Sequence, residues 1–380
     1  MQKLTRKLAL VISAWLVMGQ AGAECQRPDG ASMFRANPAR TGVQQTRGPQ
    51  TFCKVKWKFK ADAEVESTPV IADGVMYVPT YSGSIHALDL NTGKEKRSPF
   101  QDKRRYKFSS SPLVAGKTIY FLNQDGCLYA LDTAPSKAGW SDEGVRLGSV
   151  NERSPIVSSP VMSDRMLFVG SSDGYIYALN SATRNTEWKF KIEVGGVLSS
   201  PAIADGTVYF GADDFYIYAI DATTGKQKWQ FLTRGPVLST PAIAGGILYV
   251  GSSDGNLYAI DVNTEREKWR FKTGRQISSS PAVSNGLIYL AAGNNQLFAI
   301  DANTGKEKWT APAMSCLLCS PVIADGVVYI GGENFLRAID AATGQQKWQY
   351  ISQAAISTSP VVADGVVYFG TVDGTVYAIE

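Results

Sequence analysis

A Ser-Pro or Thr-Pro step recurs through this chain at Pro69, Pro112, Pro160, Pro201, Pro241, Pro281, Pro321 and Pro360, at spacings of 43, 48, 41, 40, 40, 40 and 39 residues. A period near 40 residues means one supersecondary unit repeated eight times, because a unit so short cannot bury its apolar face alone and must stack on its neighbours. Within one unit, residues 279–310 read SSPAVSNGLIYLAAGNNQLFAIDANTGKEKWT. Three apolar alternating stretches, PAV, LIYL and QLFAI, are separated by SNG and GNN, and a fourth is expected around EKWT. Period-2 patterning between Gly, Asn and Asp turns predicts short antiparallel strands joined by tight hairpins, since those residues accept positive φ. Four such strands per repeat describe a propeller blade.

The expected fold is therefore all-β, an eight-bladed propeller of four-stranded antiparallel blades. The last unit stops at VYAIE, so it lacks a fourth strand, and a matching stretch, KVKWKFK at 54–60, stands near the other end of the chain. An N-terminal strand completing the last blade pairs both open edges and closes the ring, which removes an aggregation hazard. Trp57, Trp140, Trp188, Trp229, Trp269, Trp309 and Trp348 fall in one column of the repeat. A large ring repeated in this way is a packing device between blades, with its indole N–H available to a neighbouring carbonyl. Arg97 breaks the column in the first unit, whose outer strand is expected to pack differently.

Residues 1–23 read as a secretory signal: Lys3, Arg6 and Lys7 precede an apolar run from Leu8 to Met18, and Ala21 and Ala23 fit a cleavage site. That run is short of the ~20 residues a membrane span needs. Residues 24–52 form an N-terminal arm and 53–380 the propeller. Cys25 is preceded by Glu24, which disfavours lipidation. Cleavage removes three of the 38 basic residues and none of the 34 acidic ones, leaving 35 against 34 and no electrostatic case for nucleic acid. The one histidine, His86, rules out a multi-histidine metal site and sits in a column otherwise filled by Tyr129, Tyr177, Tyr218 and Tyr258, so it reads as a strand filler. The paired acids Asp213 and Asp214 read as a solvated turn rather than a calcium site.

The strings AIDATTGKQKW (219–229), AIDANTGKEKW (299–309), AIDAATGQQKW (338–348) and the diverged AIDVNTEREKW (259–269) resemble the tryptophan-docking repeat of pyrroloquinoline-quinone (PQQ) propellers over residues 53–380. MFRANPARTG (33–42) looks like the lead-in of noncatalytic secreted proteins with this repeat. The resemblance implies one of two branches: PQQ-dependent quinoprotein dehydrogenases, which use calcium, or noncatalytic propellers similar to BamB, a scaffold of outer-membrane barrel assembly. The dehydrogenase branch implies a tryptophan stacked on the quinone and a vicinal disulfide; here no two cysteines are adjacent and the docking column leaves no spare tryptophan. The expected protein is a secreted, periplasmic, monomeric scaffold without catalytic residues, metal or cofactor, the alternative being a PQQ- and calcium-dependent dehydrogenase.

Binding is expected where the repeat is least regular. KEKRSPFQDKRRYKF (94–108) gathers Lys103, Arg104, Arg105 and Tyr106, and a long connection follows at 133–155. Clustered arginines beside aromatic rings suit a protein or anionic partner, here an envelope protein, with peripheral membrane association also compatible. Arg234 and Arg275, in loops leading to a following blade, are candidates for the mouth of the ring. In SCLLCSP (315–321), Cys319 occupies a column of Ser67, Ser110, Ser158, Ser199, Ser239, Ser279 and Thr358 and is first a small stand-in for a hydroxyl residue. In an oxidising compartment Cys316–Cys319 and Cys25–Cys53 are candidate disulfides, with Cys127 left over.

Overall fold

The computed structural model describes residues 33–133, 144–147, 157–313 and 319–380. They form eight four-stranded antiparallel sheets, each one repeat unit. Blade 1 runs Val70–Ala72, Val75–Pro79, Ser84–Asp89 and Glu95–Gln101, from the inner strand outward, and blades 2 to 7 repeat the order. Blade 8 takes Val361–Ala363, Val366–Gly370 and Thr375–Ile379 from the C-terminal end and Val55–Lys60 from the N-terminal side, with Phe59 opposite Val376 and Lys60 opposite Thr375. The closing strand thus stands where the sequence places it.

Burial follows from the ring. Both faces of a blade press on neighbouring blades, so the middle strands lose the polar face that a one-sided sheet would keep; Tyr216–Asp221 is buried at four consecutive positions. The outer strands lie at the periphery and keep their alternation, as in Arg266–Lys272. The apolar core is accordingly divided among eight clusters, each lying between two adjacent blades.

Four members of the tryptophan column share one device. The indoles of Trp57, Trp188, Trp269 and Trp309 donate to Leu90, Ala222, Ala302 and Ala341 of the next blade at 3.0 to 3.2 Å. Each ring lies against the glycine of that blade's last turn. A Cβ on Gly225 would stand 2.6 Å from the Trp188 ring, and φ is +69° there, so only glycine satisfies both demands. Trp348 instead donates to Pro49 of the N-terminal arm at 2.9 Å. Arg97 keeps the register of the column, opposite Ala87, and sends its guanidinium to the carbonyl of Thr133 in blade 2 at 2.9 Å. It docks the next blade by hydrogen bonding where blades 3, 5, 6 and 8 use an indole. Trp140, Cys25 and Cys316 lie outside the described residues, as do residues 1–23. Cys319 is fully buried, with its sulfur 3.6 Å from the Ile356 carbonyl, in keeping with the small-residue column.

Candidate functional site

The arm runs along the inner strands at one end of the central channel. The carbonyls of Pro38, Ala39, Thr41 and Gly42 accept from Ile203, Ile243, Val283 and Ile323 of blades 4 to 7 at 2.8 to 3.0 Å. The Gln44 side chain accepts from Val362 of blade 8. Two arginines anchor the arm. Arg40, completely buried, donates to Pro201, Ser159 and Pro160 carbonyls at 2.8 to 3.0 Å and to Phe34. Arg35 reaches Pro321 at 2.6 Å and Pro281. Burial pulls both guanidinium pKa values down to about 9, with the Arg35 charge adding to the effect at Arg40. Among the described residues no carboxylate is bonded to either; the carbonyl dipoles of the inner strands hold them.

Above this floor the channel opens into a cavity of about 640 Å³. Its lining includes the hydroxyl residue before each repeated proline: Thr68, Ser111, Ser159, Ser200, Thr240, Ser280, Ser320 and Ser359. From Thr68 to Ser320, each backbone N–H donates to the hydroxyl of the next member, at 2.8 to 3.3 Å. The repeated Ser-Pro and Thr-Pro steps are therefore a belt that ties the inner strands together. Nearer the mouth lie Glu66, Val157, Leu198, Leu238, Ile356 and Glu333. Burial, and the nearby Glu64 charge, push the Glu66 carboxyl above its ordinary range.

The six candidate partner-binding residues all lie on connections from an outer strand to the next inner strand, hence on the mouth face. Lys103, Arg104 and Arg105 are exposed and Tyr106 is half-buried, between blades 1 and 2. Asp102 is buried beneath them, accepting from Asn123 at 3.1 Å, Tyr129 at 2.8 Å and the Tyr106 N–H at 3.0 Å. Arg104 stands 3.6 Å from Asp125. Arg234 and Arg275 are exposed on either side of blade 5, flanking the hairpin at 252–255: the Arg234 N–H donates to Asp254 at 3.0 Å, and the Arg275 backbone packs on Gly255. The structure thus brings these two together and sets the 103–106 loop apart, three blades away.

A second feature of this face is Phe215. Its φ is +76° in a turn where the corresponding residues of other blades are Gly83, Gly126, Gly174 and Gly255, also at positive φ. A bulky aromatic in this region costs on the order of 1–3 kcal/mol and marks a place to look for function. Phe215 is 42% exposed, its strand partner region ends in Leu232 at 58%, and Val194 on the preceding connection is 73% exposed. Three large apolar side chains therefore crown the rim of blade 4 beside Arg234. The signal was present in the sequence, as GADDFY against SSDGY, but the paired acids draw the eye first. Those acids are structural: Asp214 accepts from Tyr218 at 2.6 Å and from the Tyr216 N–H at 3.1 Å, and Asp213 from the Gly196 N–H at 3.2 Å.

His86, 4% exposed, lies between Asp62 at 3.0 Å and Glu95 at 2.7 Å. Asp62 also accepts from Thr80, Ser82 and Ser84. Among the described residues no hydroxyl bonds the imidazole; both serines meet the carboxylate instead, so the cluster lacks the serine-to-histidine contact of an activated nucleophile. It joins the segment after the closing strand to blade 1.

Among the described residues, the cavity lining does not fit PQQ with calcium. The cavity's aromatic lining is Phe34 and Tyr81, with no tryptophan, and among the described residues no three His, Cys, Asp or Glu side chains gather as a metal site requires. Among those residues, too, no helix is long and apolar enough to cross a membrane.

Comparison with known proteins follows the same division. A quinohemoprotein alcohol dehydrogenase of Comamonas testosteroni is 32% identical over 32% of this chain and 21% of its own length. The outer membrane protein assembly factor BamB of Salmonella typhimurium is 28% identical over 26% of this chain and 22% of its own. The matches span about a fifth of these curated relatives. The crystal structure of BamB from Moraxella catarrhalis shares the fold, with a TM-score of 0.73 over 86% of this chain and 99% of that one, at 17% identity. The family model described as outer membrane protein assembly factor BamB matches residues 53–144, 141–269 and 313–380. With most of its length so matched, the chain belongs to that family of PQQ-repeat propellers.

Proposed function

We propose that this propeller is a periplasmic scaffold without chemistry of its own, which holds a protein partner of the cell envelope on its mouth face. The observation that carries the reading is the rim of blade 4. Phe215, held at a strained backbone angle, stands with Leu232 and Val194 as exposed apolar anchors, with Arg234 beside them and Arg275 one blade further on. Aromatic and arginine anchors supply most of the binding energy in protein interfaces. The Lys103, Arg104, Arg105 and Tyr106 loop, three blades away, serves as a second contact for an acidic partner surface. The family description, which names outer-membrane protein assembly, supports an envelope partner.

The test is affinity capture from an envelope extract. Phe215→Ser with Leu232→Ser should lose the partner, and Lys103→Ala, Arg104→Ala, Arg105→Ala together should weaken its capture in a salt-dependent way, with the melting transition kept in both. Undiminished capture by both variants would remove the reading. The quinohemoprotein relative makes a dehydrogenase the competing reading, and dye reduction upon adding PQQ and calcium would favour it.

A further inference from the structure

The belt of hydroxyls has a chemistry that tying strands together does not use. A hydroxyl accepts and donates. The belt residues from Ser111 to Ser359 accept a backbone N–H, yet among the described residues none of the eight finds an acceptor for its own proton, although all are buried. They line the cavity, so these donors face its interior.

Charge points the same way. Arg40 lies beneath the belt on the side of blades 3 and 4, completely buried, bonded to the carbonyls of Phe34, Ser159, Pro160 and Pro201 and, among the described residues, to no carboxylate. Arg35 carries a second buried charge, and its Nε is without a partner. The acids lining the cavity, Glu66 and Glu333, belong to the entry to blade 1 and to blade 7; of the other polar lining groups outside the belt, Tyr81, Ser109 and Gln124 belong to blades 1 and 2, and Ser278 and Ser357 lie ahead of blades 6 and 8. The arc of Ser159, Ser200 and Thr240 is free of acids, and Val157, Leu198 and Leu238, two residues ahead of each member, wall it with apolar groups that raise the strength of any charge interaction there.

We propose that this arc is a binding site for one small oxyanion, a carboxylate or a phosphate, held by the hydroxyls of Ser159, Ser200 and Thr240 over the buried guanidinium of Arg40. The site is distinct from the docking rim, since none of Val194, Phe215, Leu232 and Arg234 lines the cavity.

Titration calorimetry of the full chain with inorganic phosphate and, separately, with acetate tests this. At least one is expected to bind saturably at one per chain, and which one binds distinguishes a phosphate from a carboxylate ligand. Leu198→Glu places a charge two residues, about 7 Å of chain, ahead of Ser200 and should weaken binding roughly tenfold or more. Ser200→Ala, which removes one donor and adds no charge, should weaken it several-fold. Leu232→Glu, the same charge change on the outer rim, should leave it intact. Absence of binding by both anions overturns the proposal, as does binding that Ser200→Ala and a folded Leu198→Glu leave unchanged. Should Leu198→Glu fail to fold, the Ser200→Ala result decides alone.

Discussion

Trp57→Ala should open the ring. Trp57 belongs to the closing strand, is 8% exposed, packs on Tyr368 of blade 8 at 5.6 Å between ring centres and donates to Leu90 of blade 1 at 3.0 Å. Truncating a buried aromatic of this size costs about 3–5 kcal/mol in lost transfer energy and cavity, and the indole hydrogen bond adds about 1. Against a total stability of about 5–15 kcal/mol, that is a large fraction. Trp229 is the control, because it is equally buried at 8% and occupies the same column in blade 4. The strand bearing Trp229 is joined by short turns to its own blade, whereas Val55–Lys60 pairs with Thr375–Ile379 across the two ends of the fold, with no turn between them. Losing Trp57 therefore releases a strand that nothing covalent returns to its blade. Urea melts should show a larger loss for Trp57→Ala than for Trp229→Ala, and limited proteolysis should cut near residues 53–60 in Trp57→Ala before global unfolding. Equal losses in the two variants, with equal protease resistance, would refute the closure argument.

Phe215→Gly should cost no more than about 1 kcal/mol, because relief of the left-handed backbone offsets the entropy of glycine, while partner capture falls; a loss of 3 kcal/mol or more in the melt would mean that Phe215 is a packing residue. Arg40→Ala leaves several buried carbonyls without a donor and should destabilise by about 3 kcal/mol or more, whereas Arg47→Ala, on the exposed part of the arm, should stay within about 0.5, both read from urea melts. Asp62 sets an acid limit. Burial raises its pKa, but hydrogen bonds from Ser82, Ser84 and His86 together with the His86 charge outweigh it and hold the carboxyl well below its ordinary 3.8. A depressed carboxyl contributes stability that is present above the unfolded pKa and is lost as pH falls below it, so Asp62→Asn should flatten the fall in melting temperature below about pH 4. An unchanged acid slope would show that Asp62 carries none of it.

The blades, the tryptophan column and the closing strand were legible because each is written as a period: turns near every 40 residues, alternation within strands, and one aromatic at a fixed offset. The belt was half legible. The Ser-Pro and Thr-Pro steps mark the inner strands, but only the closed ring brings the eight hydroxyls of neighbouring repeats together. The arm was the least legible part. MFRANPARTG has no periodicity that says where it packs, and Arg35 and Arg40 oppose the usual exposure of arginine. Their partners are carbonyls of Pro201, Pro281 and Pro321, groups every residue owns, so no side-chain complementarity announces the contact. Phe215 was visible as a break in a glycine column; what the fold adds is its neighbours Leu232 and Val194, which lie on a different strand and a different connection.

The central claim is that the mouth face binds an envelope protein through the blade 4 rim. Its most direct test is quantitative capture from an envelope extract by the unaltered chain, by Phe215→Gly and by Leu198→Glu, each confirmed as folded by its melt. The account predicts one recurrent protein partner retained by the unaltered chain and by Leu198→Glu and lost by Phe215→Gly. Equal recovery of that partner by all three would contradict it.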